Sequence, residues 1–207
     1  TKSIKVSSRR RKGETYSDRQ VADAILALYG IAGKLRDERF RTGSISFERP
    51  EMKVIVDAAG KPVDVVQKIS KDANWLIEEF MLLANKEVAT CVTKGLRLKE
   101  PTFVYRIHDQ PDFDKVKALK DFVKHFGYQM GSVETGRDVA RELNGLLDKA
   151  KGKPECGAIE IMALRTMARA KYSTDNVGHY GLGFDYYTHF TSPIRRYPDM
   201  MVHRLLT

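Results

Sequence analysis

Apolar positions in this chain recur at helical spacing in some stretches and in short β-branched runs in others, and the alternation lays out the elements. Ser17 stands as a cap before Val21, Ile25, Leu26 and Leu28, predicting a helix to about Arg41, with Gly30 and Gly33 weakening its middle. Short runs predict strands over residues 3–6, 45–47, 53–57 and 63–69, the last two joined by the hairpin signal Ala58-Ala59-Gly60-Lys61. Residues 72–93 form the strongest helix. Ile77, Met81, Ala84, Val88, Cys91 and Val92 make one apolar arc, and Leu76, Leu82 and Leu83 add apolar surface elsewhere, so burial on most sides is expected.

The polar residues of that helix are therefore informative. Glu78 and Asn85 lie seven apart on one line, about 20° from each other around the axis, and Glu79 and Lys86 form a second line. Residues 103–107 read as a buried strand ending at His108-Asp109. Helices follow from Asp112 to about Phe126, over 133–149 and over 155–170, with a turn at Gly152-Lys153-Pro154. The pattern predicts one mixed α/β domain (α+β) over residues 1–207, short strands with flanking helices.

Composition narrows the class. No run approaches the roughly 20 apolar residues that cross a membrane, and no apolar segment follows the basic first residues to make a signal peptide. Cys91 and Cys156 lack CxxC or Cys/His clustering, which predicts two free thiols, argues against structural zinc and fits a reducing cytoplasm. The net charge of +9 is carried by the two ends, +6 over residues 1–41 and +3 over residues 163–207, with the middle balanced. If the fold joins the ends, they form a positive face for a phosphate backbone. The chain opens without Met and closes inside an apparent helix, so it reads as an excised fragment.

Residues 178–204 pack three His, three Arg and four Tyr into twenty-seven positions. Such side chains are costly to bury unpartnered, and cations beside aromatic faces suit a strand of phosphates and bases. Thr191-Ser192-Pro193 is a helix-start signal, with Pro198 marking a kink or a true start one turn later. Either start sets Arg195 and Arg196 near a helix N-terminus, where free N–H groups and guanidinium forks favour phosphate. Asp199 and His203 are an i,i+4 pair expected to hydrogen-bond. His179 and His189 flank a Gly-rich turn. No His spacing matches a metal motif and no carboxylate cluster is present, Asp109, Asp112 and Asp114 reading better as a strand end and a helix cap. By itself the sequence offers a nucleic-acid face without a complete catalytic machine.

Four blocks together resemble the catalytic domain of the ribonuclease II / ribonuclease R family of 3′-to-5′ exoribonucleases. They are Arg9 to Tyr16, the run Leu76-Ile77-Glu78-Glu79 to Asn85, Phe103-Val104-Tyr105-Arg106-Ile107-His108-Asp109, and residues 178–204, whose Arg-Arg-Tyr-Pro-Asp ending is nearer the ribonuclease R branch. The resemblance implies a channel leading to Mg²⁺ ions held by aspartates, processive hydrolysis of single-stranded RNA to nucleoside 5′-monophosphates, and a cytoplasmic protein. The Asp-rich motif and the cold-shock and S1 domains have no counterpart in this sequence, so activity of the isolated chain is not expected.

The resemblance also carries site residues. Arg195 matches an arginine that stabilises charge on the scissile phosphate, and Tyr16 a tyrosine contacting the 3′-terminal nucleotide. One of Glu78 or Glu79 matches a glutamate near the terminal ribose, Glu78 being preferred because it shares a line with Asn85. Arg196, Tyr197 and His189 are weaker channel residues. The alternative is a non-catalytic RNA-binding or scaffold protein of the same family, and a third reading is a basic domain whose cations are only solvated.

Overall fold

The structure, a computed structural model, describes residues 18–45, 51–68, 71–95 and 103–206. Helix α1 (Asp18–Arg41) runs through Gly30 and Gly33, and an antiparallel hairpin of β1 (Glu51–Val56) and β2 (Pro62–Lys68) follows. Its turn is built by Asp57, whose carboxylate accepts the N–H groups of Ala59 and Lys61, both at 2.9 Å. Helix α2 (Asp72–Thr90) runs on into a single π-helical turn (Cys91–Gly95). Strand β3 (Tyr105–Ile107) pairs antiparallel with β4 (Lys171–Ser173). Between them lie α3 (Phe113–Lys124), α4 (Gly136–Ala150) and α5 (Cys156–Arg165); a 3₁₀ turn (Tyr180–Leu182) and α6 (Tyr197–Leu206) complete the order. The expected strand over residues 3–6 and the Ser17 cap fall outside the described residues, as do positions 46 and 47 of the strand expected over 45–47.

Helices α3 to α5 form the larger core, and their sequences explain it. Val116, Leu119 and Val123 on α3, and Val139, Leu143, Leu146 and Ala150 on α4, recur at three- and four-residue steps and are buried together with Ile159 and Ala163 of α5. Each of the Val, Leu and Ile side chains contributes roughly 1.5–3 kcal/mol by leaving water. The Asp112 carboxylate caps α3 by accepting from Asp114 and Lys115 N–H, and Thr135 with Asp138 closes a capping box on α4. Helix α5 stops at Arg165, five residues before the expected end. The Thr166 carbonyl accepts from Asp112 N at 2.9 Å, which diverts the chain into β4, a strand too short and too exposed to carry an alternating pattern.

A second, smaller core joins α2, β3 and α6 through Ala89, Val92, Phe103, Tyr105, Ile107 and Val202. Here the expected apolar arc of α2 is corrected. Ile77 (58% exposed) and Met81 face outward and Cys91 is exposed, whereas Glu79, Asn85 and Ala89 are the helix's buried residues. The helix packs on α1 through an ion pair and on the chain before α6 through an amide, so polarity sits inside. Both cysteines are free. Among the described residues no helix is long and apolar enough to cross a membrane.

Candidate functional site

The site is assembled where α2 meets the chain leading into α6. Residues 187–191 belong to no helix or sheet, so their backbone groups need other partners. On one side lies the β3 segment: Arg106 N donates to Tyr187 O at 2.9 Å, and the Thr188 side chain donates from Oγ1 to the carbonyl of Val104, just before β3, at 2.6 Å. On the other side stands Asn85 of α2, buried at 3% exposure. Its Oδ1 accepts from Phe190 N at 2.9 Å and Thr191 N at 3.2 Å, and its Nδ2 donates to Tyr187 Oη at 3.1 Å.

The expected helix start at Ser192-Pro193 is revised. Residues 193–195 form a turn in which Ser192 O accepts from Arg195 N and Arg196 N at 3.3 and 3.2 Å, and α6 begins at Tyr197. Pro198 then occupies the helix's first turn, where a missing N–H has no cost. The fully buried Asp199 fixes this junction, its Oδ1 accepting from Ser192 N and from Arg196 Nη2, both at 2.7 Å. The expected Asp199–His203 bond is not formed: Asp199 Oδ1 takes Ser192 and Arg196, and the His203 ring is turned to Phe190. His203 instead donates from Nε2 to Phe190 O at 3.0 Å and stacks on the Phe190 ring at 4.2 Å. Its role is structural.

A cavity of about 350 Å³ opens beside this junction, with Ile77, Glu78, Met81, Asn85, Tyr187 and Arg196 among its walls. The two glutamates divide here. Glu78 lines the cavity, while Glu79, about 100° further round the helix, is 3% exposed and held by the forks of Arg39 and Arg36. Arg195 is exposed on the turn next to the cavity, and half-buried Arg196 reaches into it. Tyr197 faces away, lining a separate cavity with Phe103, Val104 and Met201. Tyr16 and the basic block Arg9–Lys12 fall outside the described residues. A larger cleft, about 980 Å³, lies between α1, α4 and α5 and holds none of the expected site residues; three of its cations, Arg36, Arg41 and Arg141, are paired with Glu79, Glu38 and Asp138.

Behind Tyr187 the rings close into a cluster. His179 and His189 meet the Tyr187 ring edge-on at 5.2 and 5.9 Å, and His189 Nδ1 is 2.7 Å from Tyr172 Oη. The Arg106 guanidinium lies 4.8 Å over Tyr172. Burial first, and then the charge of His108, lowers His179 to about 3. Burial first, and then Arg196 and Arg106, lowers His189 to about 4. Burial thus favours the neutral form of both imidazoles, and the charged side chains lining the cavity itself are Arg196 and Glu78. A Mg²⁺ ion takes oxygen ligands in near-octahedral array. Among the described residues only Glu78 offers the cavity a carboxylate and no group of three His, Cys, Asp or Glu is arranged to hold a metal, so these residues alone do not fit the ion. Sequence reasoning missed Tyr187, Tyr172 and the clamp by Asp199. Asn85 was visible only as the partner of Glu78 on a helical line.

With that geometry in view, comparison with known proteins is direct. The model of the RNB domain family matches residues 4–207. "Ribonuclease R 1" of Lactococcus lactis is 40% identical over 188 residues, 90% of this chain and 22% of that protein. Ribonuclease R of Escherichia coli K12 is 39% identical over 181 residues, 86% of this chain and 21% of its own length. Mycoplasma genitalium RNase R in complex with ribose methylated single-stranded RNA superposes with a TM-score of 0.80 at 29% identity, covering 94% of this chain and 30% of that one. The chain thus spans about a fifth of the length of the two curated relatives.

Proposed function

The chain belongs to the RNB domain family, and from that premise we propose that it is part of a 3′-to-5′ exoribonuclease, the part that grips the end of single-stranded RNA. The observation that carries the reading is the shared cavity of Glu78, Asn85, Tyr187 and Arg196, with Arg195 on the turn beside it. Arg195 is an exposed guanidinium on a hydrogen-bonded turn, suited to hold the charge that develops on a scissile phosphate. Glu78 is the acceptor suited to a terminal 2′-hydroxyl, the group that separates RNA from DNA. Glu79 keeps its place in the reading only through Arg39 and Arg36, as support for the helix. Arg196 lines the cavity that takes the strand end, His189 backs it through the Tyr187 ring, Tyr197 on its separate face is left for contacts further along the strand, and Tyr16 is assigned to the 3′-terminal nucleotide.

Hydrolysis to nucleoside 5′-monophosphates in a cytoplasmic full-length protein, with Mg²⁺ held by aspartates outside this chain, completes the proposal; the 207-residue chain alone is then inactive. Within this chain the residues bind, orient and screen the strand end. The test uses the full-length protein with Arg195→Ala. RNA affinity stays within about threefold while turnover falls roughly 10²–10³-fold, as for loss of one preplaced charge donor. Unchanged turnover removes Arg195 from the chemistry. If the parent protein binds RNA and releases no monophosphates, the non-catalytic RNA-binding reading replaces this one.

A further inference from the structure

We infer that Asn85 is the positioning residue that sets Arg195 relative to Glu78, an inference that rests on the exoribonuclease reading. The link is an unbroken run of bonds. Asn85 Oδ1 holds the N–H groups of Phe190 and Thr191. The next residue, Ser192, gives its N–H to Asp199, and its carbonyl receives Arg195 N and Arg196 N. Every step from helix α2 to the Arg195 backbone is therefore tied, on one side by an amide and on the other by a buried carboxylate. Glu78 stands on the same helix, seven residues before Asn85 and on the same line. That spacing puts the two about 10 Å apart along the axis. A single rigid helix thus bears both the ribose contact and the anchor of the phosphate contact.

The chemistry of the side chain explains why an amide fits. Asn85 must accept from two successive backbone N–H groups, and in this arrangement it also donates to the Tyr187 hydroxyl. Its oxygen has two lone pairs for the first task and its NH₂ serves the second. A glutamine keeps both functions but carries them one methylene further from the helix, which shifts the loop while retaining a good helix former. An aspartate keeps both acceptor bonds, and the Tyr187 hydroxyl can reverse to donate to it. Asn85 touches no reacting atom in this scheme; it acts through the loop.

The experiment compares Asn85→Gln and Asn85→Asp in the full-length protein. The glutamine variant lowers kcat about tenfold or more with RNA Kd within about threefold, the signature of a misplaced group, and the aspartate variant recovers most of the loss. Parental kcat in Asn85→Gln overturns the inference, as does equal loss in both variants in step with their melting temperatures. Amide hydrogen exchange gives a readout independent of activity. Asn85→Gln speeds exchange at Phe190 and Thr191 with α4 unchanged, and unaltered exchange there overturns the proposal. A parent protein without nuclease activity defeats the exoribonuclease reading instead, and the exchange result still decides whether Asn85 holds the loop.

Discussion

The α3–α5 bundle and the α2–α6 junction are buried by opposite means. In the bundle the interior is aliphatic, with Leu119, Leu143 and Ile159 wholly enclosed. At the junction the enclosed groups include Glu79, Asn85, Thr188 and Asp199, each bonded to a different segment of chain. Hydrophobic burial is non-directional and tolerates small displacements, whereas a buried amide or carboxylate fixes its partners within a few tenths of an ångström. One region holds the molecule together. The other holds particular atoms at particular distances.

The contrast can be broken most strongly at Glu79. Glu79→Ala leaves the Arg39 guanidinium buried without its carboxylate, and breaking such a pair costs about 3–5 kcal/mol; chemical denaturation measures it, and a loss below about 1 kcal/mol would mean that the pair is not structural. Leu143→Ala in the bundle is expected to cost about 2–5 kcal/mol while leaving the Kd for single-stranded RNA unchanged. A parallel fall in RNA affinity would erase the distinction between the regions. Glu78→Gln sharpens it from the other side. Stability stays within about 0.5 kcal/mol, as for an exposed position, while discrimination between RNA and DNA oligonucleotides falls; equal preference in parent and variant would remove Glu78 from the ribose.

A further effect is in pH. His179 and His189 are lowered to about 3 and about 4 in the folded chain, chiefly by burial. An unfolded histidine titrates near 6.5, so between these values the unfolded state binds more protons. Stability from these residues is fully present above pH 6.5 and is lost as pH falls through 4 toward 3. Melting temperatures measured from pH 7 to pH 4 are expected to decline, less steeply in His179→Phe, and a flat profile would show that the ring cluster carries no linked protons.

What could be read from the sequence follows the same division. The bundle was legible because Leu and Val at helical steps report burial directly, and Asp112 announced its cap. The hairpin was legible from β-branched runs and one Gly-containing turn. The junction was legible only as a concentration of cations, rings and turn formers. Helix α2 misled because Ile77 and Met81 look like core residues, while Glu79 and Asn85 take the interior through partners forty and more than a hundred positions away. No local pattern encodes such pairings. The same holds for Asp199, whose nearest histidine at helical spacing is not its partner, and for β4, which exists because Asp112 captures the end of α5.

One small contact has a wide reach. Gly181 N–H is received by His108 Nδ1 at 3.0 Å, and a methyl group on Gly181 would stand 2.8 Å from that nitrogen. Any larger residue pushes the imidazole off its bond to the Ala168 carbonyl and loosens both the end of β3 and the 3₁₀ turn at once. In a survey of random variants this glycine would therefore score among the inactivating positions although it meets no nucleotide, so a map of intolerance drawn on this protein outlines the hinge pins of the pocket as well as its lining.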